Sequence, residues 1–453
     1  MEQQRSSFSN RLGFVLAAAG SAVGLGNIWR FPYLAAQYGG GTFLLVYLIL
    51  TVTFGFALMI AEIAIGRKTG LSAIGAFQKL DKRFGFLGWL ASLVPILILP
   101  YYSVIGGWVI KYFATFINGG VHHAASDTFF SEFIGSTGEP IGWFALFVAF
   151  TAIIVFFGVE KGIEKVSKFM MPVLVVLTVV IALYGLTVDG AIEGVIYYLK
   201  PNMEHFSAKT ILAAMGQMFY SMSLAMGIMV TYGSYMKKTD NLEKSVRNIE
   251  WFDTGIAFMA GLMIIPAVFA FSGGTTENLK AGPSLMFITL PKVFDSMAIG
   301  SVVGAVFFLL VFFAALTSSI SLMETIVSIF MDKLKWSRKF TCVVVAVVSL
   351  LMGIPSSLGF SSWSDITFFN NLSILDAFDF ISNSVLMPIV ALFTCILVGF
   401  IIKPKVIVDE VKETDGTFKS EKLFTVMIKW IAPIFLVVIL ASSIASGLGW
   451  FTL

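Results

Sequence analysis

From Gly20 the chain reads GSAVGLGNIWRFP, placing Gly20, Gly24 and Gly26 within seven positions, just ahead of Asn27 and Arg30. Each glycine costs about 1 kcal/mol relative to alanine inside a helix, so a continuous helix is poor here. If the stretch unwinds, its freed carbonyls can coordinate a small cation and its freed amides can face an anion. The same small residues would also serve as a close-packing surface between helices. A second interruption, YSMSLAMG from Tyr220, carries Ser221 and Ser223, and Thr317, Ser318 and Ser319 form a further hydroxyl cluster. Hydroxyl and carbonyl oxygens with few carboxylates suit a weakly held monovalent cation, whereas divalent sites recruit several carboxylates. Hydroxyls equally bond the carbonyls of their own helix.

The elements that must position these groups lie in lipid. Of 453 residues, 57% are hydrophobic and only 13% charged, with 45 Phe, 41 Gly and 20 Met. That excludes a water-soluble fold of this size. Eleven apolar runs are long enough to cross a membrane, near 11–36, 41–66, 86–117, 141–158, 166–187, 209–236, 250–272, 298–331, 338–354, 372–402 and 423–450. They lack the period-two alternation of a barrel, and lipid cannot satisfy the edge of an open sheet, so the predicted fold is an all-α membrane bundle. One integral membrane domain, 1–453, is expected to divide into a repeat of five spans (11–187), a second repeat of five (209–402) and an extra span (423–450). The first and sixth spans then correspond, and both are interrupted. A matched pair of broken spans in two halves points to a secondary-transporter binding site.

With the N-terminus cytoplasmic, 23 of the 30 Lys and Arg residues fall in inside segments, and only Lys200, Lys209, Lys280 and Lys292 fall outside. A multi-pass protein with a cytoplasmic N-terminus and an outside C-terminus follows. The first run follows Arg5 and Arg11 as a signal peptide would, but its length and its interruption by Gly24, Gly26, Asn27 and Arg30 argue for a span. The net charge of +3 gives no reason to expect nucleic acid as a partner. Cys342 and Cys395 sit in apolar runs and read as packing residues. His122, His123 and His205 all fall in outside loops, which removes intramembrane haem ligands, an H-E-x-x-H protease and a serine hydrolase with a histidine base. An ion channel shares the broken helices and differs in conducting without an organic co-substrate.

Charge at membrane depth is expensive, by about 3 kcal/mol for a central arginine, so each such residue wants a partner. Arg30 has Asp376 and Asp379 as candidates, or else extends to the interface; Glu62, Asp253 and Glu324 are further acids within spans.

The run GSAVGLGNIWRFPYLAAQYGGGTF resembles the first-span signature of the neurotransmitter:sodium symporter family, whose bacterial members include amino acid carriers. The resemblance continues through Glu62 and Gly66, Tyr101–Tyr102, VTYGSY from Val230, FAALTSSIS from Phe313 and LDAFDF from Leu375, and so covers essentially the whole chain. It implies an eleven-span fold with helices 1 and 6 broken, and sodium-driven symport of a neutral hydrophobic L-amino acid across the bacterial inner membrane, with two sodium ions, no organic cofactor and no covalent chemistry. Membrane lipid and the small-molecule substrate are the implied partners, and the sequence fixes no oligomeric state.

By the same resemblance, sodium site 1 takes Ala22, Asn27, Ser221 and Asp253, and sodium site 2 takes Gly20, Val23, Ala314, Thr317 and Ser318. The substrate carboxylate meets the amides near Leu25 and Gly26 and the Tyr102 hydroxyl. Its ammonium faces carbonyls around Ala22, Tyr220 and Ser223, and Ser221 also borders the substrate. The side-chain pocket takes Ile98, Tyr102, Tyr220, Met226, Ser318 and Leu322, none of them charged, which favours aliphatic or aromatic substrates. Arg30 and Asp379 are implied as an outer gate, and Arg5 and Asp332, with Tyr235 nearby, as an inner one. Gly162 and Pro172 mark a place in span five where relatives unwind; an ordinary kink is the alternative. Asp253 stands where many relatives have Asn, beside the Tyr47, Gln217 and Ser221 that hold chloride in some of them, so chloride independence is expected. A proton-driven carrier of the same fold, titrating Asp253 and Glu62, is the other reading.

Overall fold

The apolar runs form helices because lipid leaves the backbone no other way to satisfy its own hydrogen bonds. The computed structural model describes residues 6–275, 283–368 and 371–447. Among them the only strand-like pairing is an isolated bridge between Gly40 and Pro201. Among the described residues nine helices are long and apolar enough to cross a membrane: Gly41–Thr69, Lys82–Ile117, Glu139–Phe156, Val159–Gly185, Leu242–Phe271, Gly300–Leu334, Arg338–Leu358, Ile374–Ile401 and Glu421–Ala445. A tenth is the pair Arg11–Ala22 and Gly26–Gln37, bent by 53°. The place of the sixth expected span is taken by Ala208–Ser221 and Ile228–Gly233, each too short to cross alone. The expected eleven is therefore reached by reading this last pair as one broken span. Counting each pair once, the segments run from first to eleventh.

The expected and observed limits agree within a few residues except at the fifth segment, which begins at Val159 rather than 166 with a widened turn, and at the seventh, which begins at Leu242 rather than 250. Its first two turns, LEKSVRN, are polar and escape any count of apolar residues. Asn241 caps them, its side chain accepting from the Lys244 amide at 2.8 Å. The third segment gains a turn at Lys82 in the same way, with Asp81 accepting from the Arg83 amide at 2.9 Å. The Arg83 guanidinium holds the Asp81 carboxyl below its usual range. Cys342 and Cys395 are buried and unbridged.

Small residues let helices meet backbone to backbone where the site requires it. A Cβ on Gly66 would lie 1.9 Å from the Val230 carbonyl oxygen, and one on Gly233 would lie 2.3 Å from that of Ile63. The second segment and the inner half of the sixth are thus in direct main-chain contact. On the opposite face of the bundle, the loop after the third segment is pinned to the short helix Leu290–Asp295 by His122 with Asp295, at 2.5 Å, and by Lys292 with Asp127. The Lys292 ammonium keeps the Asp127 carboxyl below its usual range.

Gly66→Val is expected to overpack the second–sixth contact, costing about 1–3 kcal/mol. The check is a lower apparent melting temperature in detergent than that of Gly255→Ala, whose new methyl meets nothing within 4 Å.

Candidate functional site

Both expected breaks are present, and they face each other. In the first segment the helix stops at Ala22; Val23 is extended (φ −72°, ψ 101°), and helix resumes at Gly26 as a widened turn reaching Arg30. The Asn27 side-chain oxygen accepts from the Gly24 amide at 3.1 Å, so the resumed helix caps its own start. In the sixth segment residues 222–227 are irregular, and Ser223 (φ 53°), Ala225 (φ 61°) and Gly227 (φ 72°) all take left-handed backbone. For the two non-glycine residues that geometry is strained, so something outside the segment must hold it. Glu62 does so, one carboxylate oxygen accepting from the Ala225 amide at 2.7 Å.

The two breaks are joined by hydroxyls. Ser223 Oγ donates to the Ser21 carbonyl at 2.9 Å, and Ser318 Oγ from the eighth segment donates to the carbonyls of Ser21 at 3.0 Å and Val23 at 3.3 Å. Ser21 Oγ shares a hydrogen bond with Ser321 at 2.6 Å. Main-chain oxygens that the breaks strip of helical partners are satisfied in this way at the bundle centre.

On one side of the junction lies Asp253, fully buried. Its carboxylate accepts from Asn27 Nδ2 at 2.7 Å, Ser221 Oγ at 2.7 Å and Tyr47 OH at 3.2 Å. Gln217, one turn before Ser221, donates to the Gly26 carbonyl at 2.8 Å. Asn27, Ser221 and Asp253 are therefore brought together beside Ala22. On the other side, the first and eighth segments approach so closely that a Cβ on Gly20 would lie 3.2 Å from Thr317 Cβ. Thr317 Oγ1 donates to Phe313 O at 2.9 Å and Ala314 O at 3.1 Å, which leaves its lone pairs free to accept a cation. Gly20, Val23, Ala314, Thr317 and Ser318 thus form a second oxygen-rich cluster without a carboxylate. Among the described residues no group of three or more His, Cys, Asp and Glu is placed to hold a metal ion.

Between these clusters lies a cavity of about 30 Å³ lined by Ala22, Leu25, Gly26, Ile98, Tyr102, Tyr220, Ser221, Ser223, Met226, Ser318 and Leu322, all eleven of the anticipated substrate residues. Ser21, Gly24, Ile228 and Ser321 complete the wall. No charged side chain lines it. The Leu25 amide donates to the Tyr102 hydroxyl at 3.4 Å, so an amide and a phenol from different segments converge at one end. Ser21 and Ser321 escaped the sequence reading. The available signal was position: Ser21 adjoins the break, and Ser321 lies one turn beyond Ser318.

At the outer gate the expected partners share a cavity without pairing directly. Arg30 and Asp379 line one cavity of about 180 Å³ above Tyr220, but no ion pair within 4 Å joins them among the described residues. Arg30 lies over the Tyr220 ring, 5.1 Å from its centroid. Asp379 accepts instead from Tyr101 OH at 3.0 Å and Asn383 Nδ2 at 2.6 Å. The ring face contacts the cation and two neutral donors contact the carboxylate, so the two charges face one cavity without a direct hydrogen bond between them. Asp376 is engaged locally, accepting from Ser373 Oγ at 2.7 Å.

At the inner end Arg5 lies outside the described residues. Asp332 accepts from the Ser72 amide at 2.8 Å. Tyr235 OH donates to Glu324 at 2.7 Å, and Glu324 is held by two nitrogens of Arg338 at 2.6 and 2.7 Å. Phe8, unremarked in the sequence, plugs this end against Phe14 and Tyr232, with ring centroids 5.6 Å away in each case. Its amide donates to the Tyr235 carbonyl at 3.2 Å. Around Gly162 the fifth segment makes a widened turn, Val159–Glu164, and runs on as helix through Pro172. Glu164 fastens that turn to the N-terminal segment by accepting from the Ser9 amide at 2.8 Å.

A bundle with two facing broken helices, oxygen clusters on both sides of the breaks and an uncharged central cavity defines a secondary transporter. A family profile described as the Sodium:neurotransmitter symporter family matches residues 5–132 and 129–448, and the chain belongs to that family of sodium-dependent membrane transporters. It is similar to an uncharacterized sodium-dependent transporter, YhdH, of Bacillus subtilis, with 34% identity over 446 residues and 97% of each chain covered. It is also 27% identical over 402 residues to the human sodium- and chloride-dependent GABA transporter 2, covering 78% of this chain and 67% of that one. Among solved structures, MhsT in complex with L-phenylalanine matches with a TM-score of 0.88 and 40% identity, over 97% of this chain and all of that one.

Glu62→Gln retains an acceptor for the Ala225 amide and is expected to keep thermal stability close to the parent protein. Glu62→Leu leaves that buried amide unpaired, at a cost of about 1–3 kcal/mol. Equal melting temperatures for the two variants in detergent would remove Glu62 as the anchor of the sixth-segment break.

Proposed function

We propose that this chain carries neutral hydrophobic L-amino acids into the cell, driven by sodium bound at two sites. The observation that carries the reading is the juxtaposition of an uncharged cavity with Asp253, Asn27 and Ser221 at the point where both helices break. A bound amino acid's carboxylate set against the Leu25 and Gly26 amides and Tyr102 lies next to the first sodium. Cation and anion in a low-dielectric pocket raise each other's affinity, and the coupling is reciprocal. The substrate ammonium takes the carbonyls around Ala22, Tyr220 and Ser223. The second sodium takes the oxygens of Gly20, Val23, Ala314, Thr317 and Ser318 and ties the first segment to the eighth. The side chain lies against Ile98, Tyr102, Tyr220, Met226 and Leu322, where a formal charge would be buried without a partner. The likeness to MhsT, whose structure holds L-phenylalanine, supports an aromatic or large aliphatic substrate.

Alternating access follows from the two gates. Arg30, Tyr220 and Asp379 close the outer vestibule. Phe8, Tyr235 and Asp332, with Arg5, close the inner one. The distribution of Lys and Arg supports a cytoplasmic N-terminus, an outside C-terminus and, for a bacterial carrier, the inner membrane.

Asp253 also supports chloride independence. Tyr47 and Ser221, the hydroxyls that would donate to a chloride, already donate to the Asp253 carboxylate, and a second negative charge beside it would be repelled.

Labelled phenylalanine uptake into proteoliposomes is expected to follow an imposed inward sodium gradient and to survive replacement of chloride by gluconate. Uptake driven by a pH gradient without sodium would favour a proton-coupled carrier. Asp253→Asn is expected to cut sodium-driven uptake at least tenfold, on the order of the 1.4 kcal/mol that corresponds to a tenfold affinity change. Chloride stimulation gained by that variant would reinforce the assignment.

Gly24→Ala places a methyl carbon 2.5 Å from Ser318 Oγ inside the cavity. Equilibrium phenylalanine binding is expected to weaken roughly tenfold, from an overpacking cost of about 1–3 kcal/mol. Unchanged binding would remove this cavity as the substrate site.

A further inference from the structure

A further cavity, of about 550 Å³, lies away from the central site, at the end of the tenth segment and the start of the eleventh. Lys403, Lys405, Lys412 and Lys429 line it, against two carboxylates, Asp409 and Glu421. Lys412 pairs with Glu421 at 2.7 Å. Lys403, Lys405 and Lys429 have no carboxylate within ion-pair distance among the described residues, so the cavity keeps a surplus of positive charge. We propose that it binds the phosphate headgroup of an anionic phospholipid.

Two observations favour a lipid. First, the cavity wall is continuous with lipid-facing apolar surface: Phe400, Val426 and Trp430 are 45%, 47% and 57% exposed, and the Phe400 and Trp430 rings meet edge to face at 6.0 Å. A headgroup on the lysines can thus lay its acyl chains along the same two segments. Second, Lys429 stands inside the eleventh segment, two turns beyond Glu421, with its ammonium 5.2 Å from the Trp430 ring centroid. A lysine beside an interfacial tryptophan marks the depth of the lipid phosphates.

The cavity faces the same side of the membrane as the N-terminal segment. Phe8 bonds Tyr235, and Lys238, three residues on, pairs at 2.6 Å with Glu410 of the helix Lys405–Lys412. Buried Arg67 pairs with the same Glu410 at 2.8 Å, so the helix carrying Lys405 and Lys412 is fastened through Glu410 to the second segment as well as to Lys238.

The test reconstitutes the full chain in phosphatidylcholine bilayers containing a minor fraction of brominated phosphatidylglycerol or, in parallel, of brominated phosphatidylcholine. The Trp430 contribution is the difference in emission between the parent protein and Trp430→Phe. Stronger quenching by the anionic lipid is expected, with each Lys→Gln change at 403, 405 or 429 weakening the preference roughly fivefold. The triple glutamine variant should lose the preference while sodium-driven uptake shows that it folds, and the triple arginine variant should retain it. If the triple glutamine protein fails to fold, single Lys429→Gln decides in the same assay. Equal quenching by the two lipids, or a preference that survives in the glutamine proteins, overturns the proposal. Release of the lipid by excess inorganic phosphate would make this a soluble-anion site and overturns the lipid assignment.

Discussion

Everything at the centre of this molecule depends on one constraint: a peptide group in hydrocarbon must find a hydrogen-bond partner, and a helix that stops in mid-membrane leaves several without one. The chain meets the constraint with side chains from other segments. Ser318 and Ser223 donate to carbonyls at the first break, and Glu62 accepts from an amide at the second. The breaks are therefore built in. Their cost falls on the folded state, offset by hydroxyls and a carboxylate that would have no purpose against intact helices. The same partners leave oxygen lone pairs clustered at two places, which is what a weakly held alkali ion needs.

How much of this was legible in the sequence depends on how local the signal is. Most segment limits were readable to within a few residues, because apolar length is a one-dimensional property. The seventh segment failed at its start because LEKSVRN is helical through a cap and neighbours rather than through hydrophobicity. The first break was written in three glycines. The second was marked by YSMSLAMG, but its left-handed backbone was not, since Ser223 and Ala225 are residue types that disfavour it and the distant Glu62 holds it. The cavity residues came from a family resemblance, and composition or spacing alone would not have assembled Ile98, Met226 and Leu322 into one wall. Ser21, Ser321 and Phe8 were passed over because a serine or a phenylalanine in an apolar run carries no distinguishing mark until its neighbours are known.

The gate residues show where residue identity stops informing geometry. Arg30 and Asp379 have opposite charge and border one cavity, which suggests an ion pair. Tyr220 and the Tyr101–Asn383 pair satisfy them separately. Opposite charges can share a vestibule without touching when aromatic faces and neutral donors are nearer. At the inner end Glu324 and Arg338 form a buried ion pair, with Tyr235 as the link to the N-terminal plug.

The main-chain contact between Gly66 and Val230, returned by Gly233 and Ile63, has a kinematic consequence. Surfaces meshed without side-chain clearance cannot slip past one another by a fraction of a turn, so the lower half of the sixth helix and the second helix must travel as a single lever. The fulcrum of that lever is then the left-handed stretch at 222–227, and any swing that widens one mouth of the carrier is transmitted by this pair as a unit.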